Sequence, residues 1–395
     1  MNDRQRTRAV LHYQAYDRLP LCAFGYWKET AVKWAEQGHI RMDWAQDYAV
    51  HGDNGPGDRA IMDALGFDFN WGASLGINSY LFPGFQEELL EERADGSRIL
   101  RDAEGLIVLV KPGVVSIPSE IGTTLTGREA WENLYLPKLR FSQARVDQGR
   151  DALLGAKAAD SQRQRPLGLH IGSLYGNIRN MLGVEALSYL AVDDEDLYRE
   201  IIDTLGQLCL ETTQAALDLY DGFEYAHFWE DICFNHGPLV NPRVFAELVG
   251  PWYRRITDVV HQHGIDIVSL DCDGCIDRLV PIWLENGVNT MFPIEVGTWN
   301  ASIQPWRAQY GRELRGVGGM DKRVFARDKA AVDAELERLQ NGDFESAQIV
   351  WQAPDWREVV AVFASKTAGA EDGIDVFTLD EERVELLRQV FWDMC

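Results

Sequence analysis

The chain has 395 residues, 46% of them hydrophobic, and a formal net charge of −24. Such length and apolar content suit one large α/β domain with insertions, or two smaller domains, and exclude wholesale disorder. The acidic balance makes nucleic acid a poor partner, because phosphate backbones call for a basic surface. The plain alternative is a well-solvated acidic surface. The six cysteines (Cys22, Cys209, Cys233, Cys272, Cys275 and Cys395) are scattered. MNDRQRTRAV carries no apolar leader, and no run reaches the roughly 18–20 apolar residues of a membrane span. The expectation is a cytoplasmic protein with reduced thiols.

The first segment, to about residue 140, is rich in aromatics and glycine, as in FGYWKE (24–29) and LGFDFNWG (65–72). Residues 91–113 alternate polar and apolar side chains around Asp95-Gly96 and Glu104-Gly105, a hairpin or meander signal that predicts a β-rich cap. Residues 142–165 read as a helix and a connecting loop. From Pro166 a βα rhythm sets in. PLGLHIG is a strand, and a helix from Asp193 to about Tyr220 has acidic residues in its first turn. GFEYAHFWED is the next strand, followed by a helix from Pro242 through VFAELVGPWYRRITDVVHQH. The DCDG strand, a helix over 276–286, the FPIE strand, a helix near 302–310 and the GGMDK strand complete the pattern.

These units predict an α/β fold, a closed (β/α)8 TIM barrel with an N-terminal β-rich cap, in competition with an open doubly wound sheet. The barrel would occupy residues 1–340, with about 1–140 the part holding the cap and 166–340 the regular units. No GxGxxG follows a strand, so no dinucleotide site is expected. Residues 341–395 hold twelve acidic and four basic residues and no clear last strand. They read as a divergent acidic tail, from a divergent terminus or an altered reading frame.

In barrels of this kind function sits at the C-terminal ends of the strands. Trp229-Glu230-Asp231 closes one apolar run. Neighbouring strand residues face opposite ways, so Glu230 and Asp231 should not both face the pocket; a helix cap or a salt bridge is the alternative. Asp271 and Asp273 share a face if the strand persists, and Gly274 permits a tight turn toward a ligand. Two carboxylates this close disfavour each other's ionisation, so one keeps a proton and can serve as general acid. The competing readings are a hard metal held by Asp271 and Asp273, or zinc with Cys272 and Cys275, for which one Cys-x-x-Cys is weak support. Glu295 ends FPIE. Asp321-Lys322-Arg323 ends RGVGGM, where Gly318-Gly319 permit close approach to a ligand. Lys322 and Arg323 are expected anchors for a substrate carboxylate or phosphate, against a structural ion pair with Glu295 or Asp273. His170 is either a core histidine or a catalytic one. Tyr175, Gly176 and Arg179 lead into a helix start, where an anion can bind. His227 can share the face of Trp229, while His261 and His263 read as structural at a helix C-terminus.

WEDICFNHGPLVNPRVFAELVGPWYRRI, HGIDIVSLDCDG and NGVNTMFPIEVG with GGMDKR resemble the uroporphyrinogen decarboxylase (URO-D) superfamily. That group holds haem-pathway decarboxylases and corrinoid-linked methyltransferases on a (β/α)8 barrel. The resemblance covers about residues 1–340, including GNIRNMLGVEALSYLAVDDEDLYREIIDTL. Decarboxylases of the group bind their many carboxylates with an Arg-rich loop of the kind RQAGRY, and this chain has RLPLCAFGYWKE there. Zinc-dependent members carry His-x-Cys where Asp271 and Asp273 stand. The chain thus looks like a methyltransferase-like branch with an Asp-x-Asp-Gly signature. It departs from that branch in lacking a Gly-Gly-Tyr-Ile-Pro stretch and an Asp-His pair near its end, and no histidine follows His263.

The resemblance implies transfer of a methyl group from a small O- or N-methylated molecule to a corrinoid on a partner protein, no tightly bound cofactor, and a homodimer. In that reading Asp271, Asp273, Glu295 and Asp231 are catalytic. Trp229, Glu230, His170, Tyr175, Arg179, Asp321, Lys322 and Arg323 would hold the substrate. A zinc ion on Asp271 and Asp273 is the minor alternative. A cofactor-free decarboxylase of a porphyrinogen or other aromatic carboxylate is the second reading, and a catalytically impaired binding protein the third.

Overall fold

The computed structural model describes residues 1–340, apart from positions 19, 21, 54, 113–117, 322, 325, 326 and 328, together with the strand 363–365. In chain order the strands are β1 (Cys22–Phe24), β2 (Phe69–Asn70), β3 (Ser74–Leu75), β4 (Glu88–Glu92), β5 (Arg98–Arg101), β6 (Leu106–Val110), β7 (Ser119–Thr123) and β8 (Gly168–His170). They continue with β9 (Tyr225–Trp229), β10 (Cys233–Phe234), β11 (Gly237–Pro238), β12 (Val268–Asp271), β13 (Thr290–Ile294), β14 (Arg315–Gly318) and β15 (Phe363–Ser365). Six of them form one parallel sheet in the order β14-β13-β12-β9-β8-β3, and three form another, β15-β1-β2. Because each sheet is parallel, its strand ends with their polar residues share one edge. The fold is mixed α/β, with helices connecting the parallel strands. Among the described residues no helix is long and apolar enough to cross a membrane.

The period-2 alternation of β9 shows how the core is divided. Ala226 and Phe228 pack outward with Leu270, Met291 and the helices, while Tyr225 packs inward with Cys22, Phe69, Trp71, Phe292 and Val317. This inner cluster draws on both sheets, so the two share one interior. Trp71 lies at its centre. Its ring stacks on Tyr225 at 4.4 Å, its carbonyl accepts the Tyr225 hydroxyl at 2.7 Å, and its Nε1 donates to Ser269 Oγ at 3.2 Å. A Cβ at position 168 would stand 2.5 Å from the Tyr225 ring, which explains the glycine in β8.

The alternating stretch forms an antiparallel meander, β4-β5-β6-β7. Its turns use Gly96 and Gly105, both at positive φ. Asp95 Oδ1 accepts the Ser97 amide, and Asp102 Oδ1 accepts the amides of Glu104 and Leu106. The meander packs on the helix Tyr175–Asp193, where Thr123 donates to the Met181 carbonyl and Glu120 accepts the Val184 amide.

Several elements differ from the sequence expectation, among them the strand expected at GGMDK, which is Arg315–Gly318. The helix expected from Pro242 onward is two, Pro242–Leu248 and Gly250–Gln262, because Gly250-Pro251 interrupts it and proline suits a first turn. The helix expected over 276–286 is confined to Val280–Glu285. A strand does lie in the C-terminal segment, where Phe363–Ser365 pairs in parallel with β1; the rest of 341–395 lies outside the described residues.

Candidate functional site

The ends of β9 and β12 build the site. Asp271 pairs in register with Trp229 on the inward face. The strand stops there, so Asp273 does not reach Asp271's side by strand alternation. Instead its amide donates to Asp231 Oδ1 at 3.0 Å, folding the turn back on the neighbouring strand. The result is a trio, Asp231, Asp271 and Asp273, with one carboxylate oxygen from each within 4.8 Å of the others. Asp271 is buried, and the other two are partly exposed. Asp231 sits at φ 49°, a left-handed conformation that aspartate tolerates better than most residues and that recurs at functional positions.

Burial raises the Asp231 carboxyl above its usual range, and the nearby Glu295 charge adds to this. The Asp273 amide, the Arg179 charge and a hydrogen bond from Trp229 oppose the shift without cancelling it. Glu295 stands behind the trio, buried, and its Oε2 accepts the Gly274 amide at 2.7 Å. Gly274 is required by packing rather than by a ligand, since a Cβ there would lie 2.5 Å from the Cys233 carbonyl. Gly318 likewise fits against the backbone of Ile294 in the adjacent strand. The Cys272 thiol turns into the core and accepts the Ile232 amide at 3.3 Å. The trio therefore presents carboxylate oxygens alone. That set suits a hard divalent ion better than zinc with thiolates.

The other expected residues divide. Arg179 stacks on the Trp229 ring, 5.6 Å from its centroid, beside Asp231. His170 Nε2 is paired with the Tyr80 hydroxyl at 3.0 Å, and burial pushes the imidazole down to about 4, so it is neutral at pH 7. His227, in register with His170, is neutral too, its pKa lowered to about 3 by burial and by His170, with Nδ1 3.2 Å from Ser269 Oγ. Glu230 does not line the site. It is fully buried on the opposite face, where it accepts the amides of Leu174 (2.8 Å), Tyr175 (2.9 Å) and Gly176 (2.7 Å) and the hydroxyl of Tyr253. The helix start expected to bind an external anion is thus already filled by Glu230. Tyr175 is also in the core, with its hydroxyl 2.9 Å from that of Tyr198. Arg323 donates to both Asp321 oxygens at 3.0 Å. Lys322 lies outside the described residues.

Sequence reasoning missed Tyr80 and Glu104. Tyr80 meets His170 and feels the charges of Glu104 and Asp271. Glu104, at a turn of the meander, accepts from Asn180 at 3.4 Å, and burial raises its carboxyl. Neither belongs to a motif. The one available signal was Glu104-Gly105, read only as a turn.

No family model matches the sequence, and no curated protein is similar to it at a significant level. The fold itself has a solved counterpart. A methyltransferase from Methanosarcina mazei superposes with a TM-score of 0.57 over 99% of each chain at 12% identity. At that identity the likeness shows the fold alone. A Listeria monocytogenes protein assigned as a vitamin-B12-independent methionine synthase matches with a TM-score of 0.33 and 14% identity, over 62% of this chain and 67% of that one. A Parabacteroides distasonis sugar phosphate isomerase/epimerase does so with 0.29 and 8%, over 64% and 89%. These two carry no argument.

Proposed function

We propose that this chain is a methyltransferase-like enzyme, a closed (β/α)8 barrel of the URO-D superfamily's Asp-x-Asp-Gly branch. One observation carries the reading: Asp231, Asp271 and Asp273 converge at the C-terminal ends of parallel strands, with burial favouring a proton on Asp231. The full-length fold likeness to a methyltransferase supports it.

Demethylation of an ether or amine breaks a bond from carbon to oxygen or nitrogen and leaves that atom needing a proton. The trio is a proton store at such a point, because its mutual repulsion lowers the cost of holding one. In the reaction the methyl group leaves for a nucleophilic acceptor, and the oxygen or nitrogen takes the carboxyl proton. A corrinoid carried by a partner protein would supply the nucleophile. Glu295 holds the turn bearing Asp273 through Gly274, and neutral His170 with Tyr80 and Trp229 gives an aromatic wall.

The test combines purified protein, reduced cobalamin and a panel of O- and N-methylated small molecules, with methylcobalamin followed spectroscopically. Methylation that requires Asp273 supports the reading. Carbon dioxide release from an aromatic acid without cobalamin would replace it with decarboxylation, and ligand affinity with neither reaction would make the chain a binding protein. Elemental analysis of wild type and Asp271→Ala decides whether the trio binds metal. About one divalent ion per chain, lost in the variant, would make the carboxylates ligands instead of proton donors.

A further inference from the structure

We propose that the substrate carries a carboxylate and that Arg179, placed over the Trp229 ring, is its anchor. This rests on the reading above and names the substrate class. The guanidinium lies over the Trp229 indole next to Asp231, and its Nη2 donates to Asn180 Oδ1 at 3.0 Å. Its Nε is buried and makes no hydrogen bond. Among the described residues no carboxylate forms an ion pair with it.

Arg101 and Arg163 also bury an Nε that makes no hydrogen bond, but each is ion-paired through another nitrogen, to Glu88 and Glu224. Arg4, Arg6, Arg18, Arg163 and Arg323 each hold a carboxylate at hydrogen-bonding distance. A buried guanidinium N–H without an acceptor is unfavourable unless something else supplies one. Asp231 feels the Arg179 charge but gives its Oδ1 to the Asp273 amide. Glu104, on the cap side, also feels the charge and accepts from Asn180 instead. Arg179 therefore sits between two carboxylates and is paired with neither.

The nature of the missing partner follows from its surroundings. The nearby helix amides cannot share the task, since Glu230 occupies them. One guanidinium offers a planar fork that matches one carboxylate. A dianionic phosphate would place a second charge close to Asp231 and Glu104, where repulsion is weakly screened. A singly charged, planar group fits, with its body against Trp229 and its methylated end toward the aspartates.

Binding can be read without turnover. Titration calorimetry would use para-methoxybenzoate, its neutral isostere para-methoxybenzamide, para-methoxyphenylphosphonate and the smaller methoxyacetate, on wild type, Arg179→Gln and Arg179→Lys. The acid should bind at least about tenfold tighter than the amide, a difference typical of one charged hydrogen-bonded contact. Arg179→Gln should erase the preference and Arg179→Lys keep part of it, with melting temperatures close to wild type. Equal affinities for acid and amide, no binding of either acid, a preference that survives in Arg179→Gln, or tighter binding of the phosphonate would each overturn the proposal. Because no corrinoid enters this experiment, failure of methyl transfer with a preserved acid preference would remove the enzymatic reading and leave the anchor standing.

Discussion

Two consecutive carboxylates at the end of β9 meet opposite environments. Glu230 points outward between sheet and helices, where three backbone amides and the Tyr253 hydroxyl converge on it. Asp231 turns inward at positive φ and faces other carboxylates. Burial raises both carboxyls. What separates them is satisfaction. Glu230's environment is complete, so it serves to fix the helix Tyr175–Asp193 against the strand. A Cβ at Gly176 would stand 2.2 Å from the Glu230 carbonyl, so the same junction leaves no room even for alanine. Asp231 belongs to a cluster whose charges repel, which is the condition for moving a proton. Burial of a carboxylate does not by itself distinguish structure from chemistry; its donor list does.

That contrast can be broken by mutation. The largest expected effect is on the inward side. Asp273→Asn takes one carboxylate out of the cluster that keeps the Asp231 proton, and should lower turnover by about 10²–10⁴-fold, the range for loss of acid–base assistance, with little change in melting temperature. Unchanged turnover would remove the trio from the chemistry. On the outward side, Glu230→Ala should destabilise by about 3–5 kcal/mol in urea unfolding, because several buried donors lose their acceptor together. A variant of wild-type stability that lost only activity would reverse the assignment of the two residues. Tyr253→Phe removes one donor to Glu230 and should cost about 1.5–3 kcal/mol.

The smallest effect concerns pH. The Asp231 carboxyl is raised in the folded chain from its ordinary value of 3.8. Its contribution to stability is therefore present below 3.8 and lost as pH rises through the folded value. Asp231→Asn should match wild type in melting temperature at low pH and exceed it increasingly toward neutrality. A gain confined to acid would show that the folded value is lowered instead.

The strand ends were legible because each apolar run stops at a charged or glycine-rich residue, as at Asp271 and Glu295. The outward path of Glu230 followed in part from alternation, which allowed only one of the pair into the site. The spacing of Asp271 and Asp273 gave a correct meeting for an incomplete reason. The strand ends before Asp273, and the amide contact to Asp231 is what brings it back. Arg179 was read as part of a helix-start anion site, but the amides there are taken by a residue 50 or more positions later in the chain. Tyr80 and Glu104 carried no local signal, since their partners His170 and Asn180 lie 90 and 76 residues away.

By itself the sequence determined the βα rhythm, the antiparallel meander and the positions where charge meets the ends of buried strands. These depend on local periodicity and on turn residues, which act over a few positions. Only the tertiary structure decided which carboxylate is saturated with donors, which ones crowd together, and that Arg179 is ion-paired with no carboxylate among the described residues. Those outcomes depend on distances between segments far apart in the chain, and desolvation and charge pairing are set by such distances.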